Sequence, residues 1–469
     1  QALKDNFGRV TQSSFAPARS CTWSVVAMAM ASAPGCLLSR LSGVALPRSA
    51  AAVARSQAAL RAAPPQVDSS SGASSSKVLA AASALAAAAV GGSRHTAAQA
   101  ARRSAAARGG QVAAFSTAAG RSPGGRPTLH VGVVGYGGVG QEFVRQALAA
   151  AGQLEEDMGV KLEVSAVARS SVMALLPLGS NNALAGSSWP ISKEEPADLV
   201  KLGRHVLDAA SASGGRALIV DNTASDSPVE LYEAWLAAGA DVATPNKKAG
   251  SGPIDRYNRI LAASRSGGSR FLYEATVGAG LPILGPLQTL VRAGDTVESV
   301  EGIFSGTLSY IFNTWRPGMK FSEVVEDAKE KGFTEPDPRD DLGGTDVARK
   351  VTILARELGL KVELEDIPVK SLVPEALQKW EPPAGVKLGD AFVKELAAFD
   401  GEMSSLLEEA EAANEVLRFV GAVDVKSGKA SVKLARYPKD HPFASTQFAD
   451  NIAAVSSKWY NPRPLVIQG

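Results

Sequence analysis

Asp346 and Lys350 stand four residues apart in Thr345-Asp346-Val-Ala-Arg-Lys350. That spacing puts a carboxylate and an amine on one face of a helix, a turn apart. An amine so held can pass a proton to a developing alkoxide and take it back. Taken alone, the same pair reads as an ordinary exposed helix contact worth about 0.3–0.5 kcal/mol. Just upstream, Glu335-Pro-Asp-Pro-Arg-Asp340 offers carboxylates from a segment stiffened by Pro336 and Pro338. Carboxylates suit the ammonium end of an amino-acid substrate. A second pair of amines, Lys247 and Lys248, follows Ala243-Thr-Pro-Asn246 and would by itself read as solvated.

Leu129-His-Val-Gly-Val-Val-Gly135-Tyr-Gly137-Gly138-Val139-Gly140 contains a GxGxxG pattern. Gly135 permits a tight turn, Gly137 lets the backbone approach a pyrophosphate, and Gly140 allows close helix–strand packing. A helix beginning near Gln141 would aim its unpaired N–H groups and its dipole at the anion. Gly135, Gly137, Gly138, Val139 and Gly140 are therefore the expected cofactor contacts. A bare glycine turn is a weak signal, but here a strand and a helix flank it. After the second strand, where an acid would read the adenosine ribose, the chain has Arg169-Ser170-Ser171. A guanidinium there suits a 2′-phosphate, which favours NADP(H) over NAD(H) unless Arg169 is simply a surface arginine.

The elements that position these residues follow from the pattern. Apolar runs at 129–134, 162–168 and 217–220 read as strands, and 141–151 reads as a helix, with further helical stretches between them. Such alternation predicts a parallel α/β sheet. Runs at 270–276 and 297–304 lead into a second region. There, 416–425 and 430–435 flank Lys426-Ser427-Gly428-Lys429, the turn of an antiparallel hairpin. Val347, Val351, Leu354 and Leu358 form an apolar stripe that would anchor the Asp346–Lys350 helix.

Composition narrows the chemistry. Residues 1–127 hold 14 Lys/Arg against 2 Asp/Glu, and residues 128–469 hold 35 against 45, so a basic leader precedes an acidic body. The leader is rich in Ala, Ser, Arg and Gly, as organelle-targeting peptides are, and is expected to be disordered. Its apolar runs, 25–33 and 78–90, are shorter than the ~20 residues of a membrane span. They read as alanine-rich disorder, or as the hydrophobic part of a two-step signal. Met28 and Met30 are the first methionines, so residues 1–27 are expected to precede the translated start. No membrane association and no nucleic-acid binding are expected, because the body carries no basic stripe with interleaved aromatics. Cys21 and Cys36, the only cysteines, lie in the leader, which leaves the body without a thiol nucleophile or thiolate metal site. His95, His130, His205 and His441 are scattered without ligand spacing.

Asp221-Asn222-Thr223 closes a strand and Ala243-Thr-Pro-Asn246-Lys247-Lys248 closes another. Glu274-Ala-Thr-Val277-Gly278-Ala279-Gly280-Leu281-Pro282 follows, then Gly332-Phe-Thr-Glu335-Pro-Asp-Pro-Arg-Asp340-Asp341-Leu and Thr345-Asp346-Val-Ala-Arg-Lys350. In this order and spacing, over residues 128–469, the motifs resemble homoserine dehydrogenase. The resemblance implies NADPH-dependent, reversible reduction of L-aspartate 4-semialdehyde to L-homoserine, on the route to threonine, isoleucine and methionine. It implies Lys350 as proton donor and acceptor, with Glu335, Asp340 and Asp346 orienting the substrate. Lys247 would sit near nicotinamide and reacting carbonyl, and Thr223 would join it in contacting cofactor. The small-residue turn would hold Na⁺ or K⁺ through Glu274, Val277, Ala279 and Leu281; the bland alternative is a tight loop without an ion.

The expected architecture is α/β: a leader over 1–127, a Rossmann dinucleotide-binding domain over 128–273, and an α/β substrate-binding and dimerisation domain over 274–469. A homodimer, and delivery to a plastid or alternatively a mitochondrion, are expected. No aspartokinase stretch is recognised before residue 128, so the enzyme reads as monofunctional. Members of the family continue beyond a stretch like Pro464-Leu-Val-Ile-Gln468-Gly469 and return to the cofactor domain, so a truncated C-terminus is expected. Aspartate-semialdehyde dehydrogenase would share aldehyde and cofactor, but it needs a cysteine nucleophile that the body lacks. A cofactor-binding sensor without turnover would not need Lys247, Glu335, Asp346 and Lys350. A sugar or polyol dehydrogenase on a similar scaffold is a more distant reading.

Overall fold

A computed structural model of the chain describes residues 127–177, 179, 181 and 194–469. The expected targeting leader, with its apolar runs and its early methionines, lies outside these residues except for Pro127.

The first sheet comprises β1 (Thr128–Val134), β2 (Lys161–Ala168), β3 (Val172–Leu175), β4 (Glu195–Pro196), β5 (Arg216–Asp221), β6 (Asp241–Ala243) and β7 (Phe271–Leu272). Their spatial order is β4-β3-β2-β1-β5-β6-β7. β2, β1, β5, β6 and β7 run parallel, and β3 and β4 add an antiparallel edge. The connecting helices are α1 (Gly138–Met158), α2 (Leu199–Ser213), α3 (Tyr232–Ala237), α4 (Lys247–Ser251) and α5 (Ile254–Gly267). Strands covered on both faces must be apolar on both, and β1 is: Val131 and Val133 pack with Phe143 and Val144 of α1, while Val134 joins Leu202, Val206 and Trp235 on the opposite side. Because β2 and β5 flank β1, the order in which successive strands are added reverses at β1. Ligands of such sheets bind outside the carboxyl ends of the strands at that point.

The second sheet is antiparallel, with order β10-β9-β8-β11-β12. Between and around its strands lie α6 (Leu284–Arg292), β8 (Val297–Ile303), α7 (Gly306–Thr314), α8 (Phe321–Glu330), α9 (Pro338–Leu342), α10 (Thr345–Glu357), α11 (Glu375–Gln378), α12 (Leu388–Leu396) and α13 (Asp400–Ala412). β9 (Glu415–Asp424), β10 (Lys429–Pro438), β11 (Ile452–Ser457) and β12 (Leu465–Gln468) complete it. The expected α10 stripe is buried: Val347, Val351 and Leu354 are at most 1% exposed, and Leu358 caps the helix.

Three local expectations shift. Residues 270–276 do not form one strand, because β7 ends at Leu272 and a 3₁₀ turn, Glu274–Thr276, follows. There the Glu274 carboxylate accepts the backbone N–H groups of Ile283, Leu284 and Gly285 at the start of α6, which draws the chain out of the sheet. The hairpin pairs Asp424 directly with Lys429, so its turn is residues 425–428 rather than 426–429. Asp424 holds that turn by accepting from the Ser427 N–H and hydroxyl, and Gly428 supplies φ +65°. Finally, α1 begins at Gly138, not near Gln141. Among the described residues no helix is long and apolar enough to cross a membrane.

Candidate active site

The glycine turn leaves β1 and enters α1 at the switch point. Gly135 has φ +83°, and the N–H groups of Gly135 and Tyr136 both donate to the Ala168 carbonyl, at 3.0 and 2.8 Å. A β-carbon on Gly140 would lie 2.3 Å from the Gly135 carbonyl oxygen, so helix and turn touch there. On Gly137 or Gly138 a β-carbon would meet nothing within 4 Å. The open side therefore faces the place a pyrophosphate would take, above the first turn of α1, which carries no acidic residue. Arg169 leaves the end of β2 and turns back over this loop, its Nε 3.4 Å from the Tyr136 carbonyl. Beside the loop, the Asn222 carboxamide is buried, and among the described residues neither its nitrogen nor its oxygen has a partner. A buried amide of this kind calls for a ligand. Cradle, helix end and orphaned amide together fit a dinucleotide.

A buried polar network carries this turn across to the lysines. The Thr223 methyl abuts Gly135, and the Thr223 N–H donates to Asp221 Oδ1 at 2.8 Å. Asp221, fully buried, also accepts from Tyr232 Oη at 2.5 Å and from Asn246 Nδ2 at 3.0 Å. Burial pushes its carboxyl above the usual range, and these bonds oppose the rise. Asn246 Nδ2 further donates to Thr223 Oγ1 and the Ser225 carbonyl. Its Oδ1 caps α4 by accepting the Lys248 N–H. The Asn-Lys-Lys motif is thus a helix start: Asn246 fixes the entry, Lys247 turns toward Asp346, and Lys248 pairs outward with Asp226 at 2.6 Å.

Lys247 and Lys350 converge on one carboxylate. Asp346 Oδ1 lies 3.1 Å from Lys247 Nζ, and Oδ2 lies 2.8 Å from Lys350 Nζ. Lys350 Nζ also donates to the Phe304 carbonyl at the end of β8, at 2.5 Å. Enclosure by the cleft walls acts to raise the Asp346 pKa; the charges of Lys350 and then Lys247 outweigh it and hold the acid well below the usual carboxylate range. With 49% of its side chain exposed, Asp346 faces open space between the two amines.

Arg356, further along α10, fixes the distance between the lysines' helices. Its guanidinium donates to the carbonyls of Gly250 and Gly252 at the end of α4, to Val362, and to the Glu363 carboxylate. Gly250 lets the helices meet: a β-carbon there would lie 2.8 Å from Ile353.

Of the expected substrate carboxylates, Asp346 stands between the two lysines and the Glu335 charge bears with it on Asp341, whereas the Asp340 charge bears on Arg339. Pro338 opens α9, with Asp337 as its cap, so the proline segment is a helix start and not wholly a loop. Asp340 is exposed and its charge bears on Arg339, whereas Asp341 accepts the Glu335 N–H at 2.8 Å. Burial pushes the Asp341 pKa up to about 6, with the Glu335 and Asp346 charges adding and hydrogen bonding opposing. Asp341, which the sequence did not single out, lies within range of both the Glu335 and the Asp346 charges. The signal was present in Pro338 and Leu342, whose spacing marks the buried face and sets Asp341 nearer to it than Asp340.

Among the described residues no group of three or more His, Cys, Asp or Glu could hold a metal. The 277–281 turn offers a different donor set. Gly278 and Ala279 have φ +78° and +53°, and the turn wraps beside the half-buried Glu274. Burial raises the Glu274 pKa against its three N–H bonds, and the Glu357 charge raises it further. Both Glu274 carboxylate oxygens accept N–H groups of residues 283–285, so a monovalent cation at this turn would be held by backbone oxygens, a hard donor set that suits it.

Known proteins match both halves. The family model "Homoserine dehydrogenase, NAD binding domain" matches residues 135–274, and "Homoserine dehydrogenase" matches residues 282–469. The chain is 46% identical over 347 residues to bifunctional aspartokinase/homoserine dehydrogenase 1, chloroplastic, of Arabidopsis thaliana; the match takes 73% of this chain but only 37% of that protein. It is 40% identical to homoserine dehydrogenase of Schizosaccharomyces pombe, over 73% of this chain and 91% of the fungal one. A solved structure of a Candida auris protein of unknown function superposes with TM-score 0.64 at 38% identity, covering 73% of this chain and 92% of that one. Matched in order through the glycine turn and the lysine cleft, and across nine-tenths of the fungal enzyme, the chain belongs to the homoserine dehydrogenase family.

Proposed function

We propose that this chain catalyses the reversible, NADPH-dependent reduction of L-aspartate 4-semialdehyde to L-homoserine. The observation that carries the reading is the continuous path from the glycine turn through Thr223 and Asn246 to two lysines sharing Asp346. Reduced nicotinamide, when bound there, would supply the hydride for the aldehyde carbon. Lys350 Nζ, held by Asp346 and the Phe304 carbonyl, gives the proton to the oxygen as it becomes an alcohol and recovers it in reverse. Lys247 lies at the same carboxylate and steadies the developing negative charge. Glu335 and Asp341 receive the substrate ammonium, with Asp346 orienting the lysines beneath it.

The cofactor rests on Gly135, Gly137, Gly138, Val139, Gly140 and Thr223, and Asn222 gains a partner when it binds. Arg169 over the glycine turn supports NADPH over NADH. A sodium or potassium ion at Glu274, Val277, Ala279 and Leu281 supports the turn. The basic leader, together with a relative named chloroplastic, favours plastid delivery. Exposed Phe448, Trp459, Tyr460 and Val466 around β11 and β12 offer apolar surface for a homodimer.

The assay is NADPH oxidation with L-aspartate 4-semialdehyde. Turnover with NADPH exceeding that with NADH is expected, and Arg169→Ala should raise the NADPH KM about tenfold while sparing NADH. Cofactor binding without reduction of this aldehyde would replace the enzyme reading with that of a sensor.

A further inference from the structure

A cavity of about 300 Å³ opens away from the lysine cleft, between the end of α7, the start of β9 and the segment after β10. Arg418, Arg316 and Lys439 line it, with Asn313, Thr446 and Glu411. Glu411 pairs with Lys439 at 2.8 Å, which leaves the two arginines uncompensated.

Arg418 is only 5% exposed. Its Nε donates to the Phe443 carbonyl at 3.0 Å, and its Nη1 to the carbonyls of Leu417 and Phe312 at 2.8 and 3.3 Å. These bonds orient the guanidinium but carry no countercharge, and Nη2 takes part in none of them. Among the described residues neither Arg418 nor Arg316 has a carboxylate within ion-pair distance; Arg316 donates only to the Trp315 carbonyl. An arginine enclosed without an anion is costly, and a like charge beside it adds to the cost. The Arg418 pKa shows both effects: burial, then the Arg316 charge, pull it down to about 10. Asn313, held by Thr446 Oγ1 at 3.2 Å and by the Phe448 carbonyl at 3.1 Å, fixes one wall.

We infer that this cavity binds a small oxyanion, a carboxylate or phosphate group, between the Arg418 and Arg316 guanidiniums. Arg418 offers its remaining Nη2 to such a group, while Arg316, engaged only through Nη1, presents its Nε–Nη2 edge in two parallel bonds. The site is separate from the active site. α7 begins beside Phe304, the carbonyl partner of Lys350, and runs nine residues, about 13 Å, before reaching the cavity wall.

The test is calorimetric titration of the whole chain, saturated with NADPH, with sodium phosphate and separately with sodium acetate, each against sodium chloride at equal ionic strength. Arg316→Gln is measured beside the wild type, since Arg316 is exposed and its loss should not disturb folding. Saturable binding of phosphate, of acetate or of both, weakened at least about tenfold in Arg316→Gln, is expected, and the stronger arm names the source. Heat no greater than that with chloride, or binding equal in Arg316→Gln, would overturn the site; in the second case the anion lies elsewhere on the molecule.

Discussion

Asp341, proposed to receive the substrate ammonium, has a carboxyl whose environment works against its charged form. Burial favours its neutral form, so its folded pKa, about 6, lies above the ordinary value near 4. A raised carboxyl pKa works against folding above pH 6, and that penalty relaxes as pH falls toward 4. Holding a substrate ammonium needs the opposite, ionised form. Two consequences should appear together: kcat/KM falls below about pH 6, and Asp341→Asn flattens that limb while lowering kcat/KM about tenfold or more at pH 8. The same variant should melt higher than wild type at pH 8. A lower melting temperature with unchanged kcat/KM would make Asp341 structural. Asp346 behaves otherwise: the two lysines hold it ionised through the working range, so its contribution to the fold is lost only in strong acid. The Asp346–Lys350 pair was legible because helical spacing alone puts the two on one face. The choice between adjacent Asp340 and Asp341 was not, because it depends on the rotation of a five-residue helix.

Among the elements, the glycine turn and α10 make separable demands on their backbones. Gly137 borders open space, whereas Gly140 touches the turn itself. Gly137→Ala should therefore leave the melting temperature within about 2 °C of wild type yet weaken NADPH binding about tenfold, as followed by cofactor fluorescence. Equal affinity would place the pyrophosphate elsewhere. Gly250→Ala acts on the other side: its methyl would press on Ile353 and part α4 from α10. A loss of about 1–3 kcal/mol in urea unfolding is expected, with a lowered kcat and unchanged NADPH affinity. Changed affinity with normal kcat would contradict the view that this contact spaces the two lysines. Long, doubly buried strands such as β1 and β2 declared themselves by unbroken apolar runs. The two-residue β4 and β7 did not, being too short to show any period. The expected start of α1 came three residues late because glycines at 138 and 140 read as turn; both lie in the helix, Gly140 packed against the Gly135 carbonyl and Gly138 beside open space.

Across the whole molecule, a mostly parallel sheet presents the glycine turn at the carboxyl ends of its strands, and α10, packed on the antiparallel sheet, carries Asp346 and Lys350. The fold class followed from alternation of elements, and the family from motifs in order. The lateral connections did not: Arg356 binding the end of α4 and Lys350 binding the end of β8 join residues about 50–100 positions apart, and no local pattern encodes such contacts. The central claim is that Lys350 moves the proton within this assembled cleft. It is tested most directly by comparing Lys350→Ala with wild type for NADPH affinity and for single-turnover reduction of L-aspartate 4-semialdehyde. Unchanged NADPH affinity, with reduction slowed by about two to four orders of magnitude, is the predicted result. Reduction at the wild-type rate would contradict it and leave the ion pair with Asp346 an ordinary helix contact.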